Sequence, residues 1–281
     1  MSRHDLDELA RRAVDGDAAA LSSLCQALEA PIYRLCLRMT GDVRDAEDAA
    51  QDVLVKVVTN LSRFEGKSAL TTWVHQIAVR HVLSLKKSRA EERSVDEDGF
   101  ASLLEQGLAF GATQPPPSPE DRALLNEVRL SCTQGMLLTL SREERLALVL
   151  TDVLGFEGAE AAEIAESSHD AFRQRVSRAR TKLSTFLERS CGEVTPSAAC
   201  SCERQLPAKK ALGLTVEKQR FTPLSRGDVP TTSEIVTATN ELKAMRAIAS
   251  AFHRDGLFGA PMSLRARMVK ALPTVLRDTS A

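Results

Sequence analysis

The sequence is poor in aromatic residues. Its 281 residues include nine phenylalanines, one tyrosine and one tryptophan, or 4%, whereas 43% are hydrophobic and 27% are charged. Strands are enriched in aromatic and β-branched residues, while alanine, leucine, arginine and glutamate favour helices. The composition therefore predicts an all-α protein. The length exceeds the usual ~100–200 residues of one domain, so we expect two or three folded units.

Long apolar runs are also missing. No stretch approaches the ~20 apolar residues that cross a bilayer, and residues 1–12 ("MSRHDLDELARR") lack the apolar segment of a signal peptide. We therefore expect a cytoplasmic protein with no membrane partner. In that compartment the six cysteines are expected to be thiols or metal ligands rather than disulfides.

The sequence has almost no net charge, at −1, but the charge is unevenly distributed. Residues 167–183 ("SSHDAFRQRVSRARTKL") carry five cations and one acid. Cations without interleaved glutamates are unusual on a solvated helix face, because like charges at i and i+4 are mildly destabilising. A segregated basic segment instead indicates contact with nucleic acid. The alternative is that these charges form an ordinary helix face in contact with water.

The N-terminal part carries helical periodicity over residues 5–62. Within "RDAEDAAQDVLVKVVTNL", Asp45, Asp48 and Asp52 share one side of the predicted helix. The opposite side is an apolar stripe of Ala46, Ala50, Val53, Leu54, Val57 and Leu61. The next run, residues 70–89 ("LTTWVHQIAVRHVLSLKKSR"), predicts a helix with a basic C-terminal half.

Residues 90–120 interrupt this pattern. They begin acidic ("AEERSVDEDG") and end proline-rich ("GATQPPPSPED"), and prolines cannot propagate a helix. The composition predicts a flexible linker between two helical domains.

Helical signals return at 121–139, followed by Ser141 and Glu144 in capping-box spacing. Residues 155–190 read as two helices joined by a few small polar residues, which is typical of a helix-turn-helix. A helix from Asp170 buries a seam of Phe172, Val176, Ala179 and Leu183. Its outward side can lie in a major groove. The candidate DNA-binding residues there are Arg173, Gln174, Ser177, Arg178, Arg180 and Lys182.

Two segments together resemble the extracytoplasmic-function (ECF) group of bacterial sigma factors, in the sigma-70 superfamily. "RDAEDAAQDVLVKVVTNLSRF…TTWVHQIAVRHVLSLKKSR" is similar to sigma region 2, and "LSREERLALVLTDVLGFEGAEAAEIAESSHDAFRQRVSRARTKL" is similar to region 4. The resemblance implies a region 2 helical bundle over 3–89, the linker over 90–120, a region 4 helix-turn-helix over 121–190, and a C-terminal extension over 191–281.

This resemblance also implies function and partners. Region 2 would bind core RNA polymerase and the melted −10 promoter element, and region 4 would bind the −35 element. Matching polymerase-binding positions are Asp45, Glu47, Asp48, Gln51 and Asp52. Candidates for the −10 strand are Lys67, Thr72, Trp73, His75, Gln76, Arg80, Lys86 and Lys87. For Trp73 a place in the core is favoured. Many such factors also bind a separate anti-sigma factor.

The chain departs from the family pattern at several positions. Glu166 stands where the helix-turn-helix usually has glycine, so we expect a longer or strained turn. Ala171 and Phe172 in the recognition helix, and Leu70 and Arg80 in region 2, leave the promoter preference open.

The extension carries Cys191, Cys200 and Cys202 in the pattern C-x8-C-x-C. No cofactor is required, but three thiolates can hold zinc or copper, with a fourth ligand such as Cys132 or His253, or from solvent. Thiol redox sensing and a purely structural role stay open. Cys25, Cys36 and Cys132 fit apolar helical patterns and are expected to be buried.

Further along the extension, residues 233–255 and 262–277 predict two amphipathic helices. The first carries Ile235, Leu242, Met245, Ile248, Ala249 and Phe252 on its apolar side, and the second carries Leu264, Met268 and Leu272. Such short helices need a partner surface. We expect the extension to pack on region 2 or region 4 and to regulate the factor.

The main alternative is a stand-alone helix-turn-helix regulator with a metal- or redox-sensing tail, in which residues 1–90 sense a signal or dimerise. An enzyme is not expected, because the sequence shows no Ser/His/Asp grouping, phosphate loop or carboxylate pair.

Overall fold

The structure, a computed structural model, describes residues 3–122, 124–213, 222–223 and 258–259. The first module is a helical bundle built around a long central helix. Its elements are α1 (Arg3–Val14), α2 (Ala18–Thr40), α3 (Val43–Asn60), a 3₁₀ turn (Leu61–Arg63) and α4 (Leu70–Ser84). The all-α prediction is confirmed. No helix in the described ranges is long and apolar enough to cross a bilayer.

Two Gly-Asp pairs set the boundaries of these helices. Gly16 and Gly41 adopt the left-handed φ values of 93° and 72° that favour glycine. Asp17 and Asp42 then accept backbone hydrogen bonds at the first turns of α2 and α3. Such N-caps satisfy amides that have no partner inside the helix.

The core of this module lies between α2, α3 and α4. Ile32 and Tyr33 of α2, Val53 of α3 and Val74 of α4 are fully buried. The apolar stripe predicted on α3 is confirmed, since all of its residues are buried. However, α4 ends at Ser84, earlier than expected, because the backbone of Leu85 is extended (ψ 146°). Lys86 and Lys87 therefore lie outside the helix.

The linker between the modules is partly helical. It contains α5 (Arg89–Glu92), α6 (Glu97–Ala112) and α7 (Pro119–Arg122). The expectation of an irregular segment throughout is therefore wrong for α6. Asp96 caps its N-terminus by accepting a hydrogen bond from the Gly99 amide (2.9 Å). Phe100 and Leu104 are buried on the helix, and the prolines that end it begin only at 115.

A second helical module follows the linker. It comprises α8 (Leu125–Leu138), α9 (Arg142–Leu148), a π-helical turn (Val149–Val153), α10 (Gly158–Ile164) and α11 (His169–Ser190). The capping box of Ser141 and Glu144 is present at the start of α9. The seam predicted on α11 is buried at every position.

The extension begins with a helix that the sequence did not predict, α12 (Cys202–Ala211). Pro207 lies inside it, and an internal proline disfavours a helix. Ser201 caps its first turn. The remaining described residues form a short antiparallel pair, β1 (Thr222–Pro223) and β2 (Phe258–Gly259), with β2 against α2. The helices predicted over 233–255 and 262–277, and His253, lie outside the described residues.

Close packing joins α12 to the linker helix α6. A Cβ added at Gly111 would overlap the carbonyl oxygen of Arg204, and one at Gly107 would overlap the side chain of Gln205. The buried amide of Gln205 donates to the carbonyl of Leu104 (2.7 Å). The linker and the start of the extension therefore form one packed unit.

A buried ion cluster ties the linker to both modules. The Glu91 carboxylate of α5 accepts hydrogen bonds from Arg142 (2.6 and 2.8 Å) and from Arg145 (3.0 Å), both on α9. Arg145 also donates to the carbonyl of Met39 at the end of α2 (2.5 Å). Burial alone would raise the pKa of Glu91, but hydrogen bonds from Arg142 and the Ser88 amide, with the charge of Arg145, lower it to about 2.

We predict that replacing Glu91 strongly destabilises the protein. Glu91→Gln leaves two arginines without their buried counter-charge, so the free energy of unfolding in urea at pH 7 should fall by ~3–5 kcal/mol. The exposed Glu92→Gln is the matched control and should change little. Because the folded pKa of Glu91 is lowered from 4.5 to about 2, its stabilisation is complete above about pH 4.5 and is lost towards pH 2. A wild-type advantage that does not shrink over that range would contradict the assignment.

Candidate nucleic-acid interface

The helix-turn-helix is formed by α10, a tight turn and α11. In the turn, Glu166 has a φ of 49°, and among the described residues no other non-glycine residue has a positive φ. Ser168 then caps α11 by accepting a hydrogen bond from the Ala171 amide (3.3 Å). The expected strain is confirmed, because a left-handed conformation costs a residue with a Cβ ~1–2 kcal/mol.

The outward face of α11 is exposed and cationic. Arg173, Gln174, Ser177 and Arg178 are all exposed at spacings that place them on one side of the helix. Arg173 lies 3.6 Å from the Asp170 carboxylate, a pair in which both side chains are largely exposed. Water screens such a pair, so the arginine can exchange it for a phosphate.

Arg180 and Lys182 are instead held within the second module. Arg180 forms two hydrogen bonds with Asp152 in the π-helical turn (3.0 and 2.5 Å). Lys182 contacts both oxygens of Glu144 (2.8 and 2.9 Å). Burial would raise the pKa of Glu144, but the Lys182 ammonium outweighs it and lowers that pKa. In this conformation four of the six predicted residues form the open face, and these two do not.

The predicted −10 surface on α4 faces α10. Thr72 donates to the Glu160 carboxylate (2.8 Å), and Gln76 donates to the backbone carbonyl of Glu163 (3.3 Å). Arg80 pairs with Glu166 (2.6 Å). Three of the predicted DNA-binding side chains are therefore occupied by contacts between the modules, which the sequence did not indicate.

His75 is buried in the same contact. Its Nδ1 lies 2.7 Å from the carbonyl oxygen of Thr71, and its ring packs edge-on against Phe156 at 4.7 Å. Burial lowers its pKa, an effect that the Thr71 carbonyl opposes only in part. The imidazole is therefore neutral near pH 7 and inaccessible to a DNA strand in this conformation.

Trp73 borders an open, cationic pocket of about 440 Å³. The indole is half-buried and packs against Phe64 at 5.4 Å, so part of it belongs to the core, as expected, and part lines the pocket. Lys56, Arg63 and Arg80 also line it. Cations beside an aromatic ring suit a single strand. Lys56 and Arg63 were missed in the sequence, where each stands among uncharged neighbours on a different turn.

The three lysines of the predicted −10 set, Lys67, Lys86 and Lys87, lie in loops. Lys67 is exposed and pairs with Glu65 in the loop before α4. Lys86 and Lys87 are exposed between α4 and α5. Because Arg142 holds the carbonyls of Leu85 and Lys86 (2.8 and 3.2 Å), this short connection is fixed against α9.

The acidic face of α3 is divided. Asp48 and Asp52 are exposed, and the Asp52 carboxylate lies 3.6 Å from the His81 ring. Asp45 is half-buried beside Arg89, and burial, with the charge of Asp42, raises its pKa. The other two predicted polymerase-binding residues, Glu47 and Gln51, are half-buried.

Three of the cysteines lie in the start of the extension, close to Cys132. Cys191 and Cys200 form a backbone bridge, in which the Gly192 amide donates to the carbonyl of Cys200 (2.7 Å). Burial chiefly raises the pKa of Cys132 to about 12, and the nearby thiols of Cys200, Cys191 and Cys202 add to the effect. Cys25 and Cys36 are buried, as expected, and Cys132 is half-buried.

The fit of these thiols to a metal is poor in this conformation. Burial raises the pKa values of Cys200 and Cys202, the latter to about 11. A metal would have to displace their protons on binding. Within the described residues, no three potential ligands converge on one point as a metal requires. Zinc or copper at Cys191, Cys200 and Cys202 stays a prediction of the sequence.

Comparison with protein families decides the assignment. The family model "Sigma-70 region 2" matches residues 24–92, and "Sigma-70, region 4" matches residues 130–183. The two matches, in this order, support a member of the sigma-70 family, in its ECF group. Members of this family are transcription initiation factors rather than enzymes. The region 2 match thus covers most of the first module and extends through α5 to include Glu91, and the region 4 match lies in the second module.

Curated relatives share the same two regions. The ECF RNA polymerase sigma factor SigG of Mycobacterium tuberculosis is 33% identical over 180 residues, which are 58% of this chain and 45% of SigG. This chain thus spans about half the length of that relative. The RNA polymerase sigma factor CnrH of Cupriavidus metallidurans is 29% identical over 191 residues, 67% of this chain and 97% of CnrH.

Solved structures include a sigma factor with a bound partner. The structure of CnrH in complex with the cytosolic domain of CnrY aligns with a TM-score of 0.45 at 25% identity, covering 64% of this chain and 95% of that chain.

We predict that the strain at Glu166 can be relieved. Glu166→Gly should be more stable to urea than Glu166→Ala by about 1 kcal/mol, because both variants lose the exposed pair with Arg80 but only glycine fits φ 49° without cost. Equal unfolding free energies for the two variants would show that the turn is not strained.

Proposed function

We propose that this chain is a promoter-specificity subunit that binds core RNA polymerase and directs it to promoters, with no catalytic activity of its own. The observation that carries the proposal is the open face of α11, where Arg173, Gln174, Ser177 and Arg178 stand on a helix anchored by a buried seam. Its partners are core polymerase and promoter DNA, and its place of action is the cytoplasm. A separate anti-sigma factor stays an expectation of the resemblance.

Region 4 would read duplex DNA through α11. Arginine and glutamine can hydrogen-bond base edges in the major groove, and further contacts to phosphates fix the register. The seam of Phe172, Val176 and Ala179 keeps the opposite side of the helix in the core. A contact by the open face therefore needs no repacking of region 4.

Region 2 would hold single-stranded DNA and the polymerase at neighbouring surfaces, since Asp52 contacts His81, which lines the Trp73 pocket. The pocket beside Trp73 offers an aromatic surface with Lys56 and Arg63, which suits unstacked bases and their phosphates. Asp48 and Asp52 on α3 present an exposed negative surface for the polymerase. Electrostatic complementarity of this kind sets association rate and orientation more than it sets affinity.

The described conformation precedes promoter binding in this scheme. Arg80 cannot pair with Glu166 and contact a phosphate at the same time, and Thr72 and Gln76 are covered by α10. We therefore infer that region 4 leaves α4 when the factor engages polymerase and DNA. Separation would break the exposed pair of Arg80 with Glu166 and would uncover the buried side chains of Thr72 and His75.

We predict that the open face of α11 is required for transcription. The double variant Arg173→Ala/Arg178→Ala should reduce run-off transcription with purified core polymerase by ~10-fold or more, because each lost contact to a base or phosphate is worth ~1–3 kcal/mol. Arg189→Ala removes an exposed arginine at the far end of the same helix and should retain activity. Equal activity of the two variants would overturn the role of this face.

We also predict that the acidic surface binds the polymerase. The double variant Asp48→Asn/Asp52→Asn should weaken co-purification with core polymerase by about 10-fold. The melting temperature of the variant should equal that of the wild type, because both side chains are exposed. Asp15→Asn, an exposed acid between α1 and α2, is the control. If the wild-type chain binds promoter DNA specifically without polymerase and does not bind polymerase, the stand-alone regulator is the correct reading.

A further inference from the structure

An apolar groove of about 630 Å³ lies where the linker, region 4 and the extension meet. Its walls are α6, α8, α12 and the last turn of α2. Leu103 and Phe110 of α6 and Leu212 after α12 line it, and they are 51%, 43% and 71% exposed. Val95, before α6, adds a further exposed apolar side chain.

Exposed apolar side chains concentrate at this groove. Of the six large hydrophobic side chains exposed among the described residues, four line it, and the other two, Val14 and Leu83, lie elsewhere. Single exposed apolar residues are ordinary, but a contiguous patch in a concave site indicates a binding surface. The groove therefore needs an apolar occupant.

The chain itself supplies a candidate occupant. α12 ends at Ala211, and Ala211 and Leu212 line the groove, so residues that follow leave from its rim. The amphipathic stretch 233–255 begins about 20 residues later. The strand β1 lies within this connection and pairs with β2, which follows the stretch, so the pairing ties the chain on both sides of the stretch to one place. β2, just after this stretch in sequence, lies against α2, which forms one wall.

The chemistry of the stretch also fits. Leu242, Met245 and Phe252 recur at the spacing of one helix face, as helices that bind in apolar grooves require. Glu234 and Glu241 lie seven residues apart, beside that face. The groove is lined by three cations, Arg38, Arg93 and Lys209, and by one acid, Glu127.

We propose that residues 233–255 bind as a helix in this groove and cover Leu103, Phe110 and Leu212. The bound helix would close the unit formed by α6, α8 and α12, and so hold the linker against region 4. An effect of this helix on transcription, through the position of the linker, rests on the proposed function. The contact itself is a property of the free chain and can be tested without polymerase or DNA.

The first test maps the contact by photo-crosslinking in the full-length chain. A photoreactive phenylalanine analogue at position 103 should crosslink within the same chain to residues 233–255, identified by mass spectrometry after digestion. Position 14 on α1, where Val14 is similarly exposed at 49%, is the control and should not reach that stretch. Crosslinks to 262–277, crosslinks between two chains, or no crosslink would each overturn the proposal.

The second test measures hydrogen exchange in full-length variants. Amides of 233–255 should be protected in the wild type, and Leu103→Asp or Met245→Asp should speed their exchange by about 10-fold or more, because a charge replaces a buried apolar contact. Val14→Asp should leave the exchange unchanged. Unprotected amides in the wild type, or protection that survives Leu103→Asp, would show that this groove does not bind the stretch. Failure here leaves the transcription results with the α11 and α3 variants unaffected, so the two proposals can fail separately.

Discussion

The arrangement of the whole molecule depends on the buried carboxylate of Glu91. It lies between two guanidinium groups of region 4, while Arg145 also donates to carbonyls at the end of α2 and around the α8–α9 turn. A charge in such a place is tolerated only with its partners, since the desolvation of an unpaired ion costs several kcal/mol. The cluster therefore fixes the end of region 2, the linker and the start of region 4 as one unit.

Away from that cluster, the two regions meet where α4 packs on α10, with Thr72 and His75 buried and Arg80 at the exposed edge. Arg80 and Glu166 are both partly exposed, and the remaining α4–α10 bonds involve neutral groups or a single carboxylate. The molecule thus combines a buried ionic attachment next to the linker with a mainly neutral contact at α10. Such an arrangement suits a protein whose DNA-binding side chains are covered in one state and needed in another.

Much of the fold was predictable because it depends on local sequence. The Gly-Asp pairs, the capping box at Ser141 and the seam of α11 all follow from residues within a few positions of one another. The helix α6 was missed because its flanks are acidic and proline-rich, and α12 because it contains Pro207. Both depend on tertiary packing, where Gly107 and Gly111 allow the two helices to approach closely.

The sequence by itself determined the helical class, the family and the identity of the cationic and acidic segments, because periodicity and motif spacing are properties of neighbouring residues. It also indicated the turn at Glu166, where a missing glycine implies strain. Only the tertiary structure decided which charges are open. Arg180 pairs with an acid 28 residues away, Lys182 with one 38 residues away and Arg80 with one 86 residues away. Ion pairs of this kind form where helices meet in space, so no local sequence pattern predicts them.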